Sequence, residues 1–341
     1  MSSVAQARVD LVGLTRALVD IDSTTGREAN AGTFLARYLR ELGFAVVEQQ
    51  VDDQRFNVFA TCGEPAAVVF STHFDCVPPF FPSRVENNRI YGRGACDAKG
   101  ILAAQVAAVD RLRSEGETRA GMLFVVGEER GSEGAHRANT DAAAAACRFL
   151  VNGEPTDRRL GMATRGLLRV VLTAAGRAAH SSFPELGESA IDKLIDVLME
   201  IRRLEWPADP VLGVTHYTVG LITGGVAHNV IPPAAQAELT FRTVSEGARI
   251  VDILRRLEPR VSVEALFEVP PVRMTVVPGF ETAVFPFTTD VPFLHAWGQP
   301  LLIGPGSIHV AHTSEESIDI AEQQAAVDDY VAIARELLAR P

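Results

Sequence analysis

At 341 residues the chain is long for a single hydrophobic core, so two domains are expected. Its composition, 47% apolar and 22% charged with 27 Gly and 19 Pro, is that of a globular protein and excludes fibrous and low-complexity classes. A net charge of −11 argues against a nucleic-acid partner and against attraction to an anionic membrane.

The N-terminal stretch MSSVAQARVDLVGLTRALVDIDS has no basic region followed by an apolar core, so no secretory signal is read there and a cytoplasmic location is expected. Residues 8–19 carry Val9, Leu11, Val12, Leu14 and Leu18 at helical spacing. Ser23-Thr24-Thr25-Gly26 breaks that helix, and a second is predicted over 34–42 with Gly43 just past its end. Strands are predicted over 44–47, 56–60 and 66–70, the last an apolar run that leads into His73-Phe74-Asp75. A Pro-rich loop and the turn Tyr91-Gly92-Arg93-Gly94-Ala95-Cys96-Asp97 follow, and 101–114 reads as a helix. A buried strand over 121–126 delivers Glu128-Glu129. The Ala-rich residues 141–147 read as a short helix, and a strand over 147–151 delivers Glu154. This alternation predicts an α/β fold with a mostly parallel sheet and helices on both faces.

The character changes near Gly161. A strand over 167–173, a helix over 189–204, strands over 214–220 and 235–242, a helix over 249–257 and a strand over 261–267 give the order β-α-β-β-α-β. That is the split ferredoxin-like α+β unit, inserted as a domain of about 100 residues. Residues 164–270 are assigned to it, and 1–163 with 271–341 to the other domain. The chain ends in a helix predicted over 322–338.

Three successive strands lead to a potential metal ligand, His73, Glu129 and Glu154, at the carboxyl ends where open α/β sheets carry their sites. Period two points His73 and Asp75 to the same side, so His73 reads as a ligand and Asp75 as the group that fixes its tautomer. With Asp97 and one distant histidine, three carboxylates and a bridging hydroxide balance the charge of two divalent ions. Mixed imidazole and carboxylate donors suit Zn2+, with Co2+ or Mn2+ as substitutes. Paired ions of this kind acidify a shared water and clamp an oxyanion. Adjacent Glu128 and Glu129 can divide two jobs, one binding metal and the other acting as general base. Cys62, Cys76, Cys96 and Cys147 show no paired spacing and read as reduced thiols. Glu133 and His136 read as surface groups, and His216 and His295 as structural.

The motifs STHFDCVPP, YGRGACDAKG, VVGEERGSEG, VNGEPTD, GRAAHSSFPELGESAI, GGVAHNVIPPAAQAELTFR and GPGSIHVAHTSEESI occur in this order. In them the chain resembles the M20 family of metallopeptidases and deacylases. The resemblance implies a zinc-peptidase type catalytic domain with an inserted dimerisation (lid) domain, and a homodimer formed through that insert. It implies that His73 and Glu154 bind one metal, Glu129 and His312 the other, and that Asp97 bridges them, with a cis peptide after it at Ala98. Glu128 would be the general base and Asp75 would orient His73. His180 would reach the partner subunit's site to stabilise an oxyanion, and Asn229 and Arg242 would bind polar or carboxylate groups of the substrate. His309 competes with His312, and His228 with the functional residues near Asn229; the Ala-His-Thr match favours His312. Cys76 and Cys96 stand where small or apolar residues are common. The implied activity is a dinuclear metal-dependent amidohydrolase cleaving N-acyl amino acids, in the manner of acetylornithine deacetylase. A dipeptidase or carboxypeptidase of short peptides is the alternative. A catalytically silent binding protein on the same fold would have lost Glu128 or a ligand, and none is lost.

Overall fold

The computed structural model describes residues 9–341. In chain order it contains α1 (Leu11–Val19), α2 (Ala29–Glu41), β1 (Ala45–Gln50), β2 (Phe56–Thr61), β3 (Val68–His73), α3 (Lys99–Ser114), β4 (Ala120–Val125) and β5 (Phe149–Asn152). There follow β6 (Gly166–Ala175), α4 (Ala190–Ile201), β7 (His216–Gly224), β8 (Ala234–Thr243), α5 (Gly247–Arg255) and β9 (Ser262–Val269). The chain closes with β10 (Gln299–Leu302) and α6 (Ile320–Ala339). Arg8, the first residue of the helix expected over 8–19, lies outside the described residues. Two units result. One holds the described residues up to Met162 with Met274–Ala283 and Thr289–Pro341; the other holds Ala163–Arg273 with Val284–Thr288.

In the first unit the strand order is β1-β2-β4-β3-β5-β10. β3 runs parallel to β4 and β5, and β10 parallel to β5, as the strand–helix alternation predicts. β1 and β2 are antiparallel to their neighbours. The physical reason lies in the connection: residues 51–55 are too few for a parallel crossover, so β1 folds back on β2 as a hairpin. Strand alternation divides the interior into two cores. Val68 and Phe70 join a core shared with α1, α2, α3 and α6. Val69 joins a core on the opposite face with Ala135, Ala138, Leu294 and Trp297. Both faces are therefore covered, one by long helices and the other by the short helix Glu133–Ala138 and irregular turns. The Ala-rich stretch expected as a helix is a 3-10 turn over Ala142–Ala146, started by Asp141, whose carboxylate accepts the Ala143 N–H at 3.0 Å.

α3 is buried on nearly all sides, between the sheet, α1 and α6, which explains its run of Ala, Ile, Leu and Val with little polar face. Its first residue, Lys99, is fully buried and donates its ammonium to the Ile21 carbonyl at 3.0 Å. Together these contacts fix the start of α3, and with it the turn that carries Asp97.

The second unit is an antiparallel four-stranded sheet in the order β7-β8-β6-β9, with α4 and α5 supplying the helices of the β-α-β-β-α-β pattern. Leu168, Val170, Leu172 and Ala174 of β6 alternate into one core with Leu194, Val197, Ile250 and Leu254 of the two helices. This is the ferredoxin-like arrangement expected for the insert.

Phe70 tests the first core. It is fully buried and meets Tyr330 edge-on at 5.3 Å between ring centroids. Phe70→Ala is expected to lower the urea-unfolding free energy by about 3–5 kcal/mol. Truncating exposed Val276 to Ala is expected to change it by less than about 0.5 kcal/mol. Equal effects from the two substitutions would contradict this packing.

Candidate metal centre

β3 ends on His73, and two residues later Asp75 holds the end of the neighbouring strand in place. Asp75 Oδ1 accepts the Glu128 backbone N–H at 3.1 Å. Its Oδ2 accepts the Glu129 N–H at 3.2 Å and the Thr25 hydroxyl at 2.8 Å. The chain can present Glu128 and Glu129 there because Gly127, at φ 79, turns it sharply just beyond β4. Asp75 also lies beside His73, with Oδ1 at 3.4 Å from Nδ1. The closer partner of His73 Nδ1 is the Asp75 main-chain carbonyl at 3.1 Å, so one residue sets the imidazole and, through its carboxylate, the Glu pair.

His73 Nε2 lies 3.0 Å from Asp97 Oδ1. Asp97 sits in the turn before α3, and the peptide bond to Ala98 is cis. From the far end of the sequence His312 brings Nε2 to 3.0 Å from Glu129 Oε1 and 3.3 Å from Asp97 Oδ2. His312 adopts φ 64, in the left-handed region. It is His312, rather than His309, that makes these contacts. His73, Asp97 and Glu129 each offer a ligand atom, and these atoms lie within 4.8 Å of one another. Glu154, just after β5, is buried, and its Oε1 has no hydrogen-bond partner.

The electrostatics are those of acids crowded out of water. Burial works against ionisation of Asp97, yet hydrogen bonds from His312 and His73 hold its carboxyl well below the usual carboxylate range. Burial would lower the His73 pKa, but the carboxylates of Asp75 and Asp97 outweigh it and hold the imidazolium well above its ordinary range. Hydrogen bonds to Asp97 and Glu129 push His312 up to about 10. Glu128 is raised well above a normal carboxylic acid by burial and then by the charge of Glu154. Glu154 is raised well above it by burial, and Glu129 is raised by the same cause.

The donor set fits divalent metal. An unpartnered buried carboxylate oxygen, two imidazoles and several acids within reach of one another form a nitrogen- and oxygen-donor centre that lacks only positive charge. The thiols beside it are poor competitors as ligands: burial pushes Cys76 up to about 11 and Cys96 well above its ordinary range.

His180, Asn229 and Arg242 belong to the second unit. The Ser181 N–H donates to the Asn229 carbonyl at 3.0 Å, so His180 and Asn229 stand on neighbouring segments. Arg242 lies within β8, and its buried Nη1 has no partner.

Among the buried acids outside the set read from sequence, Asp290 and Glu316 bear on this centre. Asp290 is buried beside the Ser132 side chain, and burial, which outweighs that contact, pushes it up to about 7. Its charge is felt by Glu128 and Glu154. Glu316 lies under the Asp97 turn. Asp290 stands in an irregular Pro-containing stretch with no periodic signal. Glu316 was within reach of sequence reasoning, being an acid four residues beyond His312.

Residues 69–336 match the peptidase family M20/M25/M40, and the chain belongs to that family. A probable carboxypeptidase of Aspergillus terreus is 39% identical over 92% of this chain and 83% of its own length. Aminopeptidase PepT of Bacillus cereus has a similar fold, with a TM-score of 0.81 at 20% identity, covering 96% of this chain and 98% of that one. A Bacillus subtilis protein described as a dinuclear metal-binding M20 peptidase gives a TM-score of 0.72 at 15% identity, covering 96% and 97%. The chain is a metal-dependent hydrolase acting on amide bonds. Among the described residues no helix is long and apolar enough to cross a membrane.

The raised His73 and His312 pKa values set the sign of a pH effect. The shift favours the protonated form of both imidazoles in chelated protein, and metal binds the deprotonated form. Calorimetric Zn2+ titrations in buffers of different ionisation heat are expected to show net proton release, with affinity rising as pH increases from about 6 to about 8. Proton uptake, or an affinity independent of pH, would contradict the cluster's charge state. By the same shift, His312 stabilises the chelated fold fully below its unfolded value of about 6.5. That stabilisation fades as pH rises through about 10.

Proposed function

We propose that the protein is a dinuclear metallo-carboxypeptidase that removes the C-terminal residue of short peptides. The observation that carries the reading is Glu128: a desolvated carboxylate with its pKa raised, beside but outside the group of close metal-ligating atoms. That is the placement and proton affinity of a general base. The carboxypeptidase name of the Aspergillus relative supports this substrate class over the N-acyl amino acid deacylase that the motifs alone put first.

His73 and Glu154 would hold one divalent ion, Glu129 and His312 the other, with Asp97 shared between them. Zn2+ is the metal best suited to these donors, with Co2+ or Mn2+ as substitutes. When bound, such ions polarise the scissile carbonyl and acidify water. Asp75 keeps His73 in the tautomer that leaves Nε2 free for metal. Glu128 takes a proton from the attacking water and delivers it to the leaving amine nitrogen. Arg242, with a nitrogen lacking a partner, and Asn229 would bind the substrate's terminal carboxylate. His180 would donate to the oxyanion in the partner's site of a homodimer. The exposed apolar residues Leu221, Ile222 and Val226 in and after β7 support association of copies through the second unit.

The test is hydrolysis of N-blocked dipeptides with a free C-terminus, beside unblocked dipeptides, N-acetyl amino acids and N-acetylornithine. Chelated protein is expected to be inactive, to regain activity with Zn2+, and to prefer the peptides. Glu128→Gln is expected to lower kcat by about 10²–10⁴ while binding metal at the wild-type ratio. A preference for N-acetylornithine would return the deacylase reading to first place, and unchanged kcat in Glu128→Gln would remove Glu128 as the base.

A further inference from the structure

We infer that Glu316 is a positioning residue that folds the Asp97 turn into its metal-binding shape before metal arrives. The inference rests on the dinuclear reading above. Glu316 is fully buried, and its carboxylate is divided between two tasks. Oε1 accepts three backbone N–H groups of the turn: Gly94 at 2.9 Å, Asp97 at 3.1 Å and Cys96 at 3.2 Å. Oε2 accepts the Arg93 guanidinium at 2.5 Å. Arg93 is itself buried, donates Nε to the Pro79 carbonyl at 3.2 Å and lies over the Phe81 ring. Both Glu316 oxygens are committed to these donors, so the residue is no metal ligand.

Neighbouring N–H groups of one turn converge on this anion, a concavity that needs the positive φ of 85 at Gly94. A Cβ at Gly94 would meet Cys76 Sγ at 2.6 Å, which closes the position to other residues. The anion in this concavity comes from the chain itself, from the segment that also supplies His312. Register locks that segment in place: Ser317–Asp319 pairs antiparallel with Arg89–Tyr91, and the Gly92 N–H donates to the Glu316 carbonyl at 3.1 Å. One short stretch, 312–316, thus delivers the distal histidine to Asp97 and Glu129 and shapes the turn that presents Asp97.

Glu316→Gln separates positioning from simple support. An amide offers one acceptor oxygen and one NH2, so it cannot satisfy both the turn's N–H groups and Arg93. Co2+ titration of chelated protein, followed by visible absorption, is expected to show affinity about ten- to a hundred-fold weaker than wild type. A changed d–d spectrum is also expected, in a variant whose near-ultraviolet circular dichroism stays native. Wild-type affinity and spectrum in the folded variant would overturn the inference, whatever its unfolding temperature. Hydrogen exchange of residues 92–98 in chelated wild-type protein tests it without a variant and covers the case in which Glu316→Gln does not fold. Protected Gly94, Cys96 and Asp97 amides are expected; rapid exchange there, with protection only after Co2+ is added, would overturn it. Wild-type protein that binds no Co2+ but shows protected amides would defeat the dinuclear reading and leave Glu316 as the organiser of the turn.

Discussion

The structure depends on gathering carboxylates where water is scarce. Burial raises the cost of ionising Glu128, Glu129 and Glu154, and the charges of neighbouring carboxylates raise it further. Two imidazoles, His73 and His312, reach Asp97 from opposite ends of the sequence and keep it ionised. The remaining acids are left under-compensated, with Glu154 Oε1 buried and unpartnered. A cluster with this imbalance is stable only because the fold over-determines it. It is suited to cations because they supply the charge it lacks.

That over-determination comes from ordinary sheet physics. Parallel neighbours β3, β4 and β5 share a register, so the residues just beyond their carboxyl ends emerge side by side. Asp75 then ties the first of these ends to the second through two backbone N–H groups. The turn before α3 is fixed from both sides, by Lys99 below and Glu316 behind. Loops carry the chemistry, and each is held by a polar side chain that accepts or donates to its backbone. These holding groups matter as much as the ligands, because a ligand displaced by 1 Å loses much of its value.

Much of this was legible in the sequence, for a reason that varies with the element. Buried strands such as β3 and β4 announce themselves as short apolar runs, and the period of β8 shows which residues enter the core. The antiparallel β1–β2 edge was harder to read, since strand direction follows from loop length and pairing rather than from composition. His73, Glu129 and Glu154 stand out because acids and imidazoles at strand ends have few structural uses, and Asp97 because it sits in a Gly-containing turn. Asp290 does not stand out, and Glu316 shows only as an acid close after His312. Their meaning lies in contacts with residues far away in sequence, Glu316 accepting from Asp97 across 219 positions. Substrate preference was the least legible, because the same motifs serve deacylases and peptidases and differ only in pocket walls.

Under the proposed function these side chains form one dinuclear centre. Anomalous diffraction from Zn2+-loaded crystals at the zinc edge distinguishes one ion from two. Two peaks are expected in each chain, one held by His73 and Glu154, the other by Glu129 and His312, with Asp97 reaching both. A single peak, or a second peak away from Glu129 and His312, would contradict that reading.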